Sequence, residues 1–448
     1  MKKTLTLMLF LIAASIVFAG NSSRYGYALP TRGDLRIFAV FAEIYNDTLN
    51  LVVPEWNRGD MPNIEYRRRV QNYVNNYFRE ASFGKLNVIL DYHPNLVQIS
   101  MAENRGGDTF VPVFRYLDAL VAGGRQIQTA GGLNFPRDFD LWTLTQYWCP
   151  ISFCFLSQLP PGSPRKLPEP DGYIDFIMVF WRENSRIGAT RSGGHVEFEP
   201  FFGTINDRQI FARSQIYADG THVVVHEIAH GFLGRDAFHT AGAGTGVGMF
   251  MQDFSGFSML SGFNQFMRGY NPWDRWRLGW FNPENNHNYE ISALNENGDG
   301  VNADLIYGQT LSQGDSAVFV LRNFADYGDA VRIKLPFVRS LNPQAREQWI
   351  WISNHQLRPG TMEFCDDRHK QNLQMYRLPR GIYLNLQVGN NDFSDFRNSR
   401  TNYFSPIGRF GKFDFFNYVY NPIGLRSHDN GNGRNQFCAC KPFYRRWI

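Results

Sequence analysis

The stretch ADGTHVVVHEIAHGFLGRDAFH, beginning at Ala218, constrains this chain more than any other part of it. Its middle, His222 to Phe232, has no proline and a single glycine, Gly231, near the end, and Asp219 or Thr221 is placed to cap its start. That pattern predicts a helix. Val223, Val224, Val225, Ile228 and Ala229 make most of its circumference apolar, so it belongs inside a core rather than on a surface. Into that core it carries His226, Glu227 and His230, groups that are costly to bury without a partner. The fold must therefore surround this helix on most sides and leave one side open to chemistry.

His226 and His230 stand four apart, which places both imidazoles on one helix face, close enough to share a metal ion. Zinc in catalytic sites takes such neutral nitrogens at roughly 2.0 to 2.1 Å and keeps one position open for water. Glu227 follows the first His and points beside the metal, where it can take a proton from water and pass it to a leaving amine. With ten His in 448 residues, chance spells HExxH on the order of once in a hundred such chains, so a coincidental amphipathic helix is a weak competitor. A third protein ligand is required. Gly234 gives the backbone freedom for a sharp turn after the helix, Asp236 lies six residues past His230, and His239 follows three later as the more usual donor type. On spacing alone both stay open, as does a more distant Glu or His. His222, one turn upstream, reads as a buried histidine or as support for the ligands.

The chain begins MKKTLTLMLFLIAASIVFAG: two lysines, a mostly apolar run from Leu5 to Phe18, and small residues. This is the pattern of a secretory signal peptide, residues 1–19, cut after Ala19. No later stretch is apolar enough for a membrane span, so the expectation is a secreted protein of roughly 430 residues, enough for about two or three domains. A formal charge of +4 with 19% charged residues and no like-charge block gives no preference for nucleic acid or anionic membranes. The five cysteines, Cys149, Cys154, Cys365, Cys438 and Cys440, are too few and too scattered for a disulfide framework or a cysteine zinc site. Cys149 and Cys154 can close a small loop, and the odd number leaves a thiol over. No local signature supports a catalytic cysteine.

Along the chain, LRIFAVFAEI (Leu35 to Ile44) reads as a buried strand. Tyr66, Val70, Tyr73, Val74 and Phe78 recur at helical spacing. Strands are expected again at KLNVILDYH from Lys85 and DGYIDFIMVFW from Asp171, with further helix between Phe110 and Leu144 and a Pro- and Gly-rich loop from Leu159 to Pro170. Asp171 and Asp175 form an acidic turn of a kind that binds calcium or simply caps itself. From about Asn282 the texture changes to short β-like runs, AVFVLRNF, AVRIKLPF, QWIWIS and GIYLNLQV. The expected class is α+β, with a first domain over residues 34–285 and a β-rich domain over 286–448.

NYFREASFGKLNV (Asn76 to Val88), DGYIDFIMVF (Asp171 to Phe180), PWDRWRLGWFNP (Pro272 to Pro283), WIWISNHQLRPG and LPRGIYLNLQVGNND, together with the His-Glu-His helix, resemble the immune inhibitor A-like secreted metallopeptidases, a metzincin-like clan. The resemblance implies a metzincin-like catalytic domain, a twisted sheet plus active-site helix, followed by a β-rich C-terminal domain. It implies a zinc endopeptidase with one catalytic zinc, polypeptide substrates and Glu227 as general base and acid. Laid over the family pattern HExxHxxGxxD, the zinc-binding Asp falls on Asp236, while Leu233 stands where the pattern has Gly and a Gly follows at Gly234. That departure keeps His239 as the alternative third ligand. SMLSG, with Met259, resembles the family's Met-turn beneath the zinc, although by itself Met259 reads as a core methionine. Tyr270 is either a transition-state hydrogen-bond donor or a packed tyrosine. Family members are often made with an inhibitory leader, but the first core strand starts so soon after Ala19 that no large folded propeptide is expected at the N-terminus. Two other readings compete: a secreted binding or adhesion protein on a degenerate metallopeptidase scaffold, and a zinc hydrolase acting on sugars or peptidoglycan cross-links.

Overall fold

The structure is a computed structural model that describes residues 29–45, 55–100, 102–103, 110–143, 166–182, 194–198, 203–217, 221–233, 259–260, 270–282, 289–306, 308–310, 312, 314–335, 348–356, 381–388 and 403–406. The chain divides into two compact units, Met1–Arg79 with Gly84–Asp236, and Glu80–Phe83 with Ala237–Ile448.

In the first unit the described elements are β1 (Gly33–Ile44), α1 (Ile64–Ala81), β2 (Leu86–Tyr92), β3 (Val97–Ile99), α2 (Phe110–Ala122), β4 (Ile127–Gln128), β5 (Asn134–Phe135), β6 (Tyr173–Trp181), β7 (Gly194–Phe198), β8 (Thr204–Ile205), β9 (Arg208–Tyr217) and α3 (Thr221–Leu233). One mixed sheet dominates, in the order β2-β1-β6-β9-β7, with β3 beside β1 and β8 beside β9. β1, β2, β3, β6 and β9 run parallel, whereas β7 and β8 pair antiparallel with β9. From Ile37 to Ala42 β1 carries no polar residue because both of its faces are covered there. Phe38, Val40, Ala42 and Ile44 join Phe110, Val113, Phe114 and Leu117 of α2 in one core. On the other side Phe41 meets Trp56 and Tyr66, with ring centroids 5.3 and 6.2 Å apart. α1 starts where the side chain of Asn63 accepts from the backbone N–H of Tyr66 at 2.8 Å, an N-cap bond. It buries Tyr66, Val70, Val74, Tyr77 and Phe78.

In the second unit the described elements are α4 (Pro272–Arg277), β10 (Ser292–Leu294), β11 (Gly300–Asn302), β12 (Asp304–Leu305), α5 (Phe324–Tyr327), β13 (Ala330–Lys334), β14 (Gln348–His355), β15 (Gly381–Val388) and β16 (Tyr403–Pro406). A smaller sheet runs β12-β13-β14-β15-β16, and β10 pairs with β11. Its alternation is inverted. Along β14, Trp349, Trp351, Ser353 and His355 are buried while Ile350 and Ile352 are half-buried. The inward polar groups pair with one another: Trp351 Nε1 donates to Gln387 at 2.7 Å, Ser353 and His355 share a bond at 2.9 Å, and Arg332 makes a two-pronged contact with Asp304. Arg275 ties this unit together. Its guanidinium donates to the carbonyls of Ala81 (2.8 Å), Glu80 (3.1 Å), Phe324 (2.6 Å) and Ala325 (3.1 Å), between the rings of Phe83 and Tyr270, each 4.0 Å away.

The molecule is thus a mixed α/β chain with a main mixed sheet and a separate small β-rich sheet. One expected strand is absent. In AVFVLRNF, Val320 makes only an isolated bridge to Leu294, Val318 is 58% exposed, and Phe324 opens α5. The run has strand-like residues but meets β10 and β14 only at single bridges, Val320 with Leu294 and Asn323 with Asn354, and a β ladder needs consecutive pairs. β9 was not anticipated, because Arg213, Ser214 and Gln215 interrupt its apolar run although all three are buried.

Candidate active site

β9 is the parallel strand next to the sheet edge, and α3 leaves from its C-terminal end, the end at which parallel sheets open their ligand sites. The helix is seated by its apolar residues. Val224, Val225, Ile228, Ala229, Phe232 and Leu233 are fully or almost fully buried, and Phe232 meets Phe78 of α1 edge-on at 5.4 Å. With those faces committed, the remaining face presents His226, half-buried, and His230, buried, with their ring centroids 4.9 Å apart and their planes at 86°. Two imidazoles at that spacing on one rigid helix suit a single metal ion that prefers nitrogen donors, and zinc is such an ion.

Glu227 is buried beside them and rests on β7. A methyl group placed on Gly194, the first residue of β7, would lie 2.6 Å from Oε1 and 2.8 Å from Cγ of Glu227, and 2.6 Å from Cγ1 of Val223. The Gly194 backbone does not need the left-handed conformation. Its glycine therefore serves close approach: the carboxylate lies against bare backbone of the edge strand. On the other face of β7, His195 and Glu197 share a bond at 3.0 Å, and Arg213 of β9 donates to Glu197 at 2.6 Å. Burial raises the Glu197 carboxyl, but the bonds from His195 and Arg213 more than offset this and hold it below the ordinary carboxylate range.

The remaining sequence candidates fall as follows. Asp236, His239 and Gly234 lie outside the described residues, as do the five cysteines and residues 1–19. Leu233 is the last residue of α3 and is fully buried, so the helix continues through the position where the family pattern has Gly. His222 lies on the first turn of α3. Met259 sits in a turn and is fully buried, in the second unit. Tyr270 is buried there too, and its hydroxyl donates to Glu80 at 2.8 Å.

Asp171 accepts from its own neighbour Tyr173 at 3.1 Å, a turn bond. Asp175 accepts from the backbone of Leu141 at 3.0 Å and Trp142 at 3.4 Å. Burial pushes its carboxyl well above the ordinary value, with Asp140 and Asp171 adding to the effect against those two bonds. Among the described residues no group of three or more His, Cys, Asp or Glu is placed to hold a metal ion, and no helix is long and apolar enough to cross a membrane.

Two features of the site escaped the sequence reading: the contact of Gly194 with Glu227, and the packing of Leu29 on Gly231. The available signal was a glycine inside a strand pattern, GGHVEF, and another inside a helix; either marks a place where something approaches closely. No protein-family model matches the chain, and no curated protein matches it either.

Proposed function

We propose that this chain is a secreted zinc-dependent endopeptidase with a metzincin-like catalytic unit, similar to the immune inhibitor A-like enzymes. The observation that carries the reading is the perpendicular pair of imidazoles, His226 and His230, on one face of a buried helix, with the Glu227 carboxylate between that helix and an edge strand. His226 and His230 would hold the zinc, with Asp236 as third ligand and His239 as the alternative. A zinc ion held there supplies Lewis acidity, polarising the scissile carbonyl and making water a better acid. Glu227 takes the proton from the attacking water and delivers it to the amine as the C–N bond breaks.

The position of β7 favours a peptide over a sugar. It is the last strand at its edge among the described residues, the position at which an extended polypeptide would add alongside, with a carbonyl beside Glu227. Hydrolysis of an unfolded protein by the chain lacking residues 1–19 tests the reading. A chelator is expected to stop it, and Glu227→Ala to abolish turnover with zinc still bound. Undiminished turnover in Glu227→Ala sinks the mechanism, and less than one zinc per chain favours a binding protein on the same scaffold.

A further inference from the structure

Ahead of β1, Leu29 is fully buried, and its backbone N–H donates to the carbonyl of Gly231 at 2.9 Å. Gly231 follows His230 directly and lies in the last turn of α3, where carbonyls have no partner within the helix. The bond from Leu29 closes one of them. The side chain goes further. A methyl group on Gly231 would lie 2.3 Å from Cδ1 and 2.6 Å from Cγ of Leu29, and 3.0 Å from Cε1 of Phe198 in β7. Leu29 thus occupies the space a side chain at 231 would take, wedged between the helix and the edge strand. Glycine within a helix costs roughly 1 kcal/mol relative to alanine. The Gly231 backbone does not need the left-handed conformation; the close approach of Leu29, with Phe198 next in distance, accounts for the glycine.

We propose that Leu29 is a positioning residue for the metal site: by filling the notch at Gly231 and closing its carbonyl, it sets the last turn of α3 and thereby the aim of the His230 imidazole. The proposal rests on the zinc reading above. Elements that orient a metal-binding histidine govern affinity for the metal as well as stability. The same strand, β7, borders the notch at Gly231 through Phe198 and the base through Gly194.

A size exchange tests it, read by competition for zinc between the protein and a chromophoric chelator, well below the unfolding midpoint of each variant. Gly231→Ala is expected to weaken zinc binding by about 10- to 100-fold. Adding Leu29→Ala, which vacates the notch, is expected to restore affinity to within a few-fold of the unaltered chain. If Leu29 is only a core residue, both variants lower the midpoint and leave zinc affinity unchanged, which overturns the proposal. Failure of the double substitution to restore affinity in a folded protein overturns it as well. If the unaltered chain itself takes up no zinc, the zinc reading fails first and the proposal falls with it. An unaltered chain that binds zinc, beside an indifferent Gly231→Ala, refutes the wedge alone.

Discussion

Gly194→Ala adds one methyl group beside the base and leaves every zinc-binding group in place. The new carbon would stand 2.6 Å from Oε1 of Glu227, 2.6 Å from Cγ1 of Val223 and 2.8 Å from Cγ of Glu227. Comfortable separations are about 3.5 to 4.0 Å, so close to 1 Å has to be found on two sides at once. Val223 belongs to the seated helix and can yield little, which leaves the Glu227 side chain to move. A displacement of about 1 Å in a catalytic group costs about a hundredfold in rate, or about 2.7 kcal/mol at 1.36 kcal/mol per factor of ten.

Overpacking of this kind also lowers stability, by about 1 to 3 kcal/mol. Steady-state hydrolysis of a quenched polypeptide should therefore show kcat reduced about a hundredfold with KM nearly unchanged, since the lost alignment belongs to the transition state. Zinc content should remain at the level of the unaltered chain. A folded, zinc-loaded Gly194→Ala protein with unaltered kcat would refute the argument that bare backbone in β7 positions the base.

Other substitutions probe other links. Asp236→Ala is expected to weaken zinc binding by more than about tenfold while His239→Ala leaves it near the original value; the reverse pattern in a chelator titration assigns the third position to His239. Arg275→Met strips four carbonyls of their buried donor, and at about 1 kcal/mol each should cost about 4 kcal/mol in denaturant unfolding. A loss below about 1 kcal/mol would place the guanidinium among weak surface interactions. Asp175 concerns pH. Its carboxyl is raised in the folded protein, so the unfolded chain gives up its proton first as pH rises, and the folded state loses stability from about pH 4 upward until the folded group ionises. Asp175→Asn removes that loss, so its stability relative to the unaltered protein should improve between pH 4 and pH 7; a pH-independent difference would contradict the buried, raised carboxyl.

What could be read in the sequence was what neighbouring residues decide together. His226 and His230 meet through helix geometry alone, and the stripe from Tyr66 to Phe78 and the unbroken apolar run of β1 announce their elements in the same local way. The contacts of Gly194 with Glu227 and of Leu29 with Gly231 are brought about by sheet pairing between distant segments, and no local pattern encodes them beyond an unexplained glycine. QWIWIS is legible as a strand. Which of its faces turns inward is not, because Trp351, Ser353 and His355 find buried hydrogen-bond or ring partners that outweigh the usual preference for burying isoleucine. AVFVLRNF shows the opposite failure, strand-like residues that meet neighbouring strands only at isolated bridges.

The central place of β1 has a kinetic consequence. β1 must pair with β2, β3 and β6, and β6 with β9, before α3 has a wall to stand on. Each parallel pairing closes a long loop, the slow kind of step in a folding reaction. The two imidazoles need only one turn of helix to come together, whereas Gly194 and Leu29 reach them after the sheet is assembled. On the zinc reading, a nascent helix would capture the metal before Glu227 is brought to its wall. Metal uptake in refolding experiments should run ahead of the recovery of hydrolysis, and the interval between them times the closing of the sheet.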